Sequence, residues 1–374
     1  MGTIPKLNNV PVLVRCALNV PIKNGRVVGD FRLKRAEATI RFLSERGARV
    51  ILIGHIGELG TETLLPVCEA MKRSFPALIF CPSTIGKEAR EAVRRLPAGG
   101  ILMLENLRRH RGEKMNEESF AKELAMLADV FVQDSFDVCH RSHASVVGVP
   151  KFLPSYAGLL VEEEVRELER GLKPKSPSIA IIGGAKFLTK EPVLKRLLQL
   201  YTHVFVGGAL ANDFIREKGL PTESSLVSEE RAPGIAKLLR NPRLILPIDE
   251  VIGPLDSLRS EARVDMLDGK APYEAILDDG PETVALLERH IASARAVLWN
   301  GPLGNYEHGF TQATEAIARA VARSRAHTIV GGGDTVAAIE TVGVLGSLSF
   351  VSTGGGAMLE FLASGTLPGL DVLN

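Results

Sequence analysis

Short apolar runs rich in β-branched residues recur along the chain, each followed by a longer stretch with apolar and charged residues at helical spacing. In the first half these runs are Val12–Val14, Val50–Ile53, Ile101–Leu104 and Val130–Val132. In the second they are Ile179–Ile182, Val204–Val206, Leu244–Leu246, Ala296–Trp299, Thr328–Val330 and Leu348–Val351. Continuous runs, rather than alternating ones, predict strands buried on both faces, and so parallel sheets covered by helices on each side. The expected fold class is α/β, with two doubly wound parallel-sheet lobes. Ligands of such sheets gather beyond the carboxyl ends of the strands, so residues closing the runs are the first candidates for chemistry.

The proline pair in Lys173-Pro174-Lys175-Ser176-Pro177 predicts a break between packed units, because the segment has no apolar residue to bury. The preceding stretch, Val161 to Leu168, reads as a solvent-rich helix bridging two lobes. The expected organisation is a first lobe over 1–157, a hinge helix over 158–172, a second lobe over 173–357 and a C-terminal segment, 358–374, returning to the first lobe.

Charge and composition narrow the partners. A formal net charge of +1 leaves no bulk field to draw the chain to nucleic acid or membrane, so anion binding must be local. The four cysteines, Cys16, Cys68, Cys81 and Cys139, show no close pairing and predict a reducing, cytoplasmic setting. The polar start, Met1 to Asn9, predicts no leader peptide. No apolar run approaches the ~18 residues of a membrane span. Small molecules, not nucleic acid or membrane, are the expected partners.

Local anion chemistry is visible in both halves. Trp299-Asn300-Gly301-Pro302, Gly331-Gly332-Gly333-Asp334-Thr335 and Val351-Ser352-Thr353-Gly354-Gly355-Gly356 each read as a glycine-rich turn after an apolar strand. Turns of this kind bare N–H groups at a helix start, where the peptide dipoles favour phosphate. Three of them predict a nucleotide site assembled from several loops. In the first half Asn19, Arg32, His55, Arg108, His140 and Arg141 stand at or just beyond the ends of apolar runs. Guanidinium forks there suit a small phosphorylated carboxylic acid.

Further motifs extend the pattern: Leu13-Val14-Arg15 with Asn19-Val20-Pro21, Leu104-Glu105-Asn106-Leu107-Arg108, His140-Arg141-Ser142-His143-Ala144-Ser145 and Gly183-Gly184-Ala185-Lys186. In order and spacing the set closely resembles the phosphoglycerate kinase family, almost end to end. The resemblance implies two Rossmann-like lobes joined by a hinge helix that closes them together. It implies reversible phosphoryl transfer between 1,3-bisphosphoglycerate and MgADP, giving 3-phosphoglycerate and MgATP, with ATP or ADP as substrate and Mg²⁺ as cofactor. By the same resemblance Asn19, Arg32, His55, Arg108, His140 and Arg141 hold the acid. Arg32, Lys186, Gly355 and Gly356 meet the transferring group. Lys190, Glu307, Gly332, Gly333, Asp334 and Thr335 hold the nucleotide, and Asp334 carries the metal. An acyl phosphate is already activated and its acceptor is an ionised oxygen, so positioning and charge neutralisation suffice without a general base.

Departures from the family concentrate in the acid pocket. Ala17 replaces an aspartate, Glu58 an arginine, Asp137 a glycine and Arg109 an aromatic residue, a net change of −1 (+1, −2, −1 and +1). A lost charge-assisted contact costs about 1.5–3 kcal/mol, so weakened or altered acid binding is expected. Arg109 is a candidate to replace the charge lost at Glu58, although neighbouring residues in an extended segment face opposite ways. Two alternatives follow: a paralogue acting on another phosphorylated carboxylic acid, or a non-catalytic nucleotide-binding protein. On the nucleotide side Phe187-Leu188-Thr189 separates the two lysines, and Pro192 predicts a slightly shifted helix start. Trp299 is expected to pack, Asn300 to support its turn, and Glu105 and His143 to be structural.

Overall fold

A computed structural model describes residues 7–229, 232 and 234–373. Most of the polar start on which the expectation of no leader peptide rests, Met1 to Lys6, lies outside the described residues, as does Asn374. The chain divides into two compact units, one reaching Arg166 and including the C-terminal residues from Thr366, the other Glu167–Gly365. The division falls inside the helix Leu159–Gly171 rather than at the proline pair. That helix is not solvent-rich, contrary to the sequence expectation: Glu164 and Glu167 are buried. Within the second unit Glu167 accepts hydrogen bonds from Arg170 at 2.8 Å and pairs with His327 at 3.1 Å. Both glutamates lie on the side that also carries Leu160, Val161 and Leu168, so helical spacing puts them inside despite their charge.

The first unit is built on a fully parallel sheet. Its strands run in the order Ile79–Cys81, Ile101–Leu104, Arg49–Ile53, Pro11–Cys16, Val130–Asp134, Ser155–Ala157. Alternation along the central strand sends Val12 and Val14 into one core and Leu13 into the other, so both faces are covered. Connections leave Pro11–Cys16 first toward Arg49–Ile53 and return on its other side at Val130–Asp134. That reversal opens a crevice at the carboxyl ends. The C-terminal residues pack on this unit: Gly369 N–H donates to Cys139 O at 2.8 Å, and Val372 packs on Val138, Val146 and Val147.

The second unit repeats the design in the order Leu244–Ile245, His203–Val206, Ser178–Ile182, Ala296–Asn300, His327–Gly331, Phe350–Val351, again all parallel. Its reversal lies between Ser178–Ile182 and Ala296–Asn300. A small antiparallel sheet, Arg263–Asp265, Glu250–Pro254 and Glu274–Asp279, is inserted before Ala296–Asn300. Helices Phe187–Leu200, Ala209–Glu217, Gly333–Val342 and Gly355–Ser364 each begin just beyond the carboxyl end of a strand of the six-stranded sheet. Their first-turn N–H groups therefore collect along one edge. Among the described residues no helix is long and apolar enough to cross a membrane.

Candidate active site

Beyond the carboxyl end of the first sheet, hydrogen bonds link three of the six expected acid-binding residues, Arg32, Asn19 and Arg108, through Gly57. Arg32, in the first turn of helix Phe31–Ser44, donates from Nη1 to Asn19 O at 2.7 Å. The Asn19 side chain accepts from Gly57 N–H at 3.1 Å. Gly57 O accepts in turn from Arg108 Nη1, whose backbone is held in a short turn by Asn106 Oδ1, an acceptor from Arg108 N–H at 3.1 Å. Asn106 also fixes Ile56, accepting from its N–H at 3.3 Å and donating to its carbonyl at 2.8 Å. Glu105 is structural as expected, accepting from Leu64 and Asn106 N–H groups and from the Thr63 hydroxyl.

A second network joins the expected His55 to residues not proposed as site residues from the sequence. Arg15, buried on the central strand, donates to Ser145 Oγ at 3.0 Å and meets His55 Nδ1 at 2.8 Å. Ser145 Oγ donates to Glu113 Oε1 at 2.6 Å, and His143 lies 3.8 Å from that carboxylate. A guanidinium at Nδ1 requires that nitrogen to accept, so His55 is neutral with its proton on Nε2. Burial, then the charges of Arg15, Arg108, Arg141 and His143, hold its pKa well below the usual histidine value. His143 is lowered to about 4 by burial and the same cationic surroundings, and His140 is lowered by burial and Arg141 against Asp137. His140 Nδ1 is buried without a hydrogen-bond partner among the described residues. The signal for Arg15 was an arginine inside an otherwise apolar strand, which burial obliges to find partners.

The departures have defined surroundings. Ala17 is fully buried. Asp137 accepts from the Ser135 hydroxyl at 2.5 Å. Arg109 pairs with Glu105 at 3.3 Å, so its charge is tied to that carboxylate instead of replacing the one lost at Glu58. Glu58 itself lies 3.0 Å from Arg108 Nη1 and 3.9 Å from Lys114.

In the second unit the glycine turns interlock. Gly183 N–H donates to Asn300 O at 2.9 Å and Gly184 N–H to Pro302 O at 2.8 Å. Gly301 N–H donates to Thr335 Oγ1 at 2.9 Å, and Trp299 Nε1 braces the same turn through Gly301 O at 2.9 Å. Trp299 is otherwise packed, and Asn300 Nδ2 reaches Gly355 O at 3.5 Å. A Cβ on Gly183 would lie 2.2 Å from Pro302 O, which leaves room only for glycine where these loops cross. Gly332 caps helix Gly333–Val342 at φ +102°, and a Cβ on Gly355 would sit 3.4 Å from Gly332 Cα, so these two turns adjoin. Gly333 and Gly356 are exposed at the starts of their helices.

The charged residues of this lobe take different places. Lys186 is exposed at the N-cap of helix Phe187–Leu200, with φ +64°. Lys190, one turn on, folds back so that its ammonium donates to Gly183 O. Burial draws its pKa down to about 8, opposed by the charge of Asp334, which places those two groups within electrostatic reach. Asp334 is exposed in the first turn of its helix, without a hydrogen bond or ion pair among the described residues. Thr335 is fully buried and its hydroxyl oxygen serves Gly301, so its side chain orders the turn. Glu307 stands apart on the turn Tyr306–His308, exposed. Pro192 does not lie in the helix's first turn, so the slight shift of the helix start expected from it is not seen. The helix begins at Phe187 and Pro192 lies in its second turn, because Lys186 in the left-handed region sets the start.

Asp279 was not anticipated. It is buried against Gly207, where a Cβ would lie 2.5 Å from Asp279 Oδ2, and that oxygen has no hydrogen-bond partner among the described residues. Burial and then the charges of Asp278, Glu250 and Asp249 push its carboxyl well above the usual range. A carboxyl raised on folding is most stabilising below its unfolded value near 3.8, and that stability is lost as pH climbs toward the folded pKa. Asp279→Asn removes this loss. Its melting temperature should exceed the parent's at pH 8 by a few degrees, at about 2–4 °C per kcal/mol, and by much less at pH 4. Equal shifts at both pH values would contradict the assignment.

The phosphoglycerate kinase family model matches residues 3–365. A phosphoglycerate kinase of Thermomicrobium roseum is 42% identical over 379 residues, covering 97% of this chain and 96% of the relative. The solved phosphoglycerate kinase of Coxiella burnetii superposes with a TM-score of 0.82 at 35% identity, covering 100% of this chain and 97% of that one. The one from Pyrococcus horikoshii gives a TM-score of 0.89 at 29% identity, over 98% and 96% of the two chains. Two parallel sheets, each with its polar loops at the carboxyl ends, and a likeness that runs the length of the sequence establish that the chain belongs to the phosphoglycerate kinase family.

Proposed function

We propose a division of labour for the family's reaction, the reversible movement of a phosphoryl group between 1,3-bisphosphoglycerate and MgADP to give 3-phosphoglycerate and MgATP. The bond from the acyl oxygen to phosphorus breaks as one to the nucleotide's terminal phosphate oxygen forms. The leaving carboxylate needs no proton, so the residues have charge and alignment to supply. Arg32, Asn19, His55, Arg108, His140 and Arg141 bind the acid, with neutral His55 offering its Nε2–H as a donor. Lys190, Gly332, Gly333, Asp334 and Thr335 form the phosphate side of the nucleotide site, and Glu307 takes the ribose. Lys186 and Arg32 neutralise the transferring group, with the N–H groups of Gly355 and Gly356 beside it.

The observation that carries this reading is the interlocking of the glycine turns, which sets helix starts and Lys190 along one edge of the second sheet. Asp334 fits a metal-holding role: an exposed carboxylate in a helix's first turn leaves the remaining positions to phosphate oxygens and water. Mg²⁺ bound there would offset charge on the nucleotide phosphates. The four cysteines are free and buried, in keeping with a cytoplasmic enzyme, and we take it to act as a monomer.

Calorimetric titration tests the assignment at Asp334. Asp334→Asn should bind MgADP about tenfold more weakly, the loss of one charge-assisted contact, yet bind ADP without metal as well as the parent or better. An equal loss with and without Mg²⁺ would assign Asp334 to the turn instead of the metal.

A further inference from the structure

The carboxylate of Glu58 engages a buried arginine of the acid pocket, Arg108, by one amino group only. Arg108 has a side chain 1% exposed, and its Nη1 is shared between Gly57 O and Glu58 Oε2, the latter at 3.0 Å. Its Nη2 is buried with no hydrogen-bond partner among the described residues. A buried guanidinium normally has its donors satisfied, and a planar fork favours an anion that takes two of them together. Glu58 is the more exposed partner, with its side chain 67% exposed. Desolvation raises its pKa, but the Arg108 bond and the charges of Arg108, Arg141 and Lys114 outweigh this and leave it lowered. The carboxylate therefore rests where the pocket's cations converge, which is also where an incoming anion would be drawn.

We propose that Glu58 is a displaceable internal occupant of the acid site: its carboxylate caps Arg108 until the anionic end of a phosphorylated carboxylic acid takes both amino groups and turns it out to solvent. The inference rests on the acid-binding role of Arg108 given above. Release requires only a side-chain rotation, because the loop is fixed by its backbone. Gly57 is tied to Arg108 and Asn19, Lys114 donates to Glu58 O, and Gly60 is pressed against Arg108 O, where a Cβ would lie 2.1 Å away. Each binding event must then break one ion pair within the protein. The effect is to lower affinity for every anion and most for those that cannot engage the fork with two oxygens.

Glu58→Gln keeps the backbone ties and removes the charge. Calorimetry should show 3-phosphoglycerate, and inorganic sulfate as a probe, bound about three- to tenfold more tightly at low salt, with the difference shrinking as ionic strength rises. In turnover the gain should appear in KM rather than kcat. Leu59→Gln, at an 84% exposed neighbouring position, should match the parent. Unchanged or weaker acid binding in Glu58→Gln would overturn the proposal. Absent turnover in both proteins, with acid binding intact, would instead overturn the functional reading on which it rests.

Discussion

Replacing Lys186 by alanine lowers kcat about 10²–10³-fold, the usual cost of removing one donor aimed at developing charge, while leaving the melting temperature close to the parent's. The two halves of that expectation come from one observation. The Lys186 side chain is exposed beside the Gly183-Gly184 crossing, so nothing in the fold depends on its ammonium. Its backbone already occupies the left-handed region at φ +64°, which alanine tolerates about as poorly as lysine. Binding of MgADP and 3-phosphoglycerate should change little, because the interaction belongs to the transition state. Stopped-flow or steady-state kinetics with a melting curve decide it. A kcat within threefold of the parent would remove Lys186 from the chemistry.

Gly301→Ala should cost more than about 3 kcal/mol of stability in the second unit, and abolish nucleotide binding. Two penalties coincide there. The backbone has φ +98°, and an added Cβ would lie 2.4 Å from Gly183 O and 3.0 Å from Gly184 N. Neither neighbour can retreat, since Gly183 and Gly184 are themselves bonded to Asn300 and Pro302. Gly309→Ala is the control: its φ is +85°, but nothing lies within 4 Å of the added atom. It should lose only about 1 kcal/mol, the conformational share alone. Urea unfolding of both variants separates the terms, and equal midpoints would show that the crossing tolerates a side chain.

The parallel strands were legible because burial on both faces leaves an unbroken apolar run; each of the ten runs contains or overlaps an observed strand. Ile79–Cys81 and Ser155–Ala157 were missed as edge strands of three residues, too short to register, and Ile79 is half exposed. The small antiparallel sheet was hidden by acidic residues: Glu250, Asp265, Glu274, Asp278 and Asp279 are all buried on its strands. Lys270, whose side chain is fully enclosed, pairs with Glu250 at 3.0 Å and Asp265 at 3.6 Å, a tertiary arrangement that local pattern cannot announce. In the acid pocket the sequence singled out residues at strand ends but not Arg15, which lies within a strand. It identified Glu58 as a missing positive charge. That the same residue pairs with Arg108 depends on a loop folding back from Gly57 to Gly60, and on Lys114 from a separate helix.

An acid pocket with Glu58 capping Arg108 should still serve phosphoryl transfer. Purified chain with MgATP and 3-phosphoglycerate, coupled to a dehydrogenase that consumes the acyl phosphate and followed by NADH loss, tests it most directly. Saturable turnover with a KM for the acid that falls in Glu58→Gln is the predicted result. MgADP binding without turnover on 3-phosphoglycerate would contradict it.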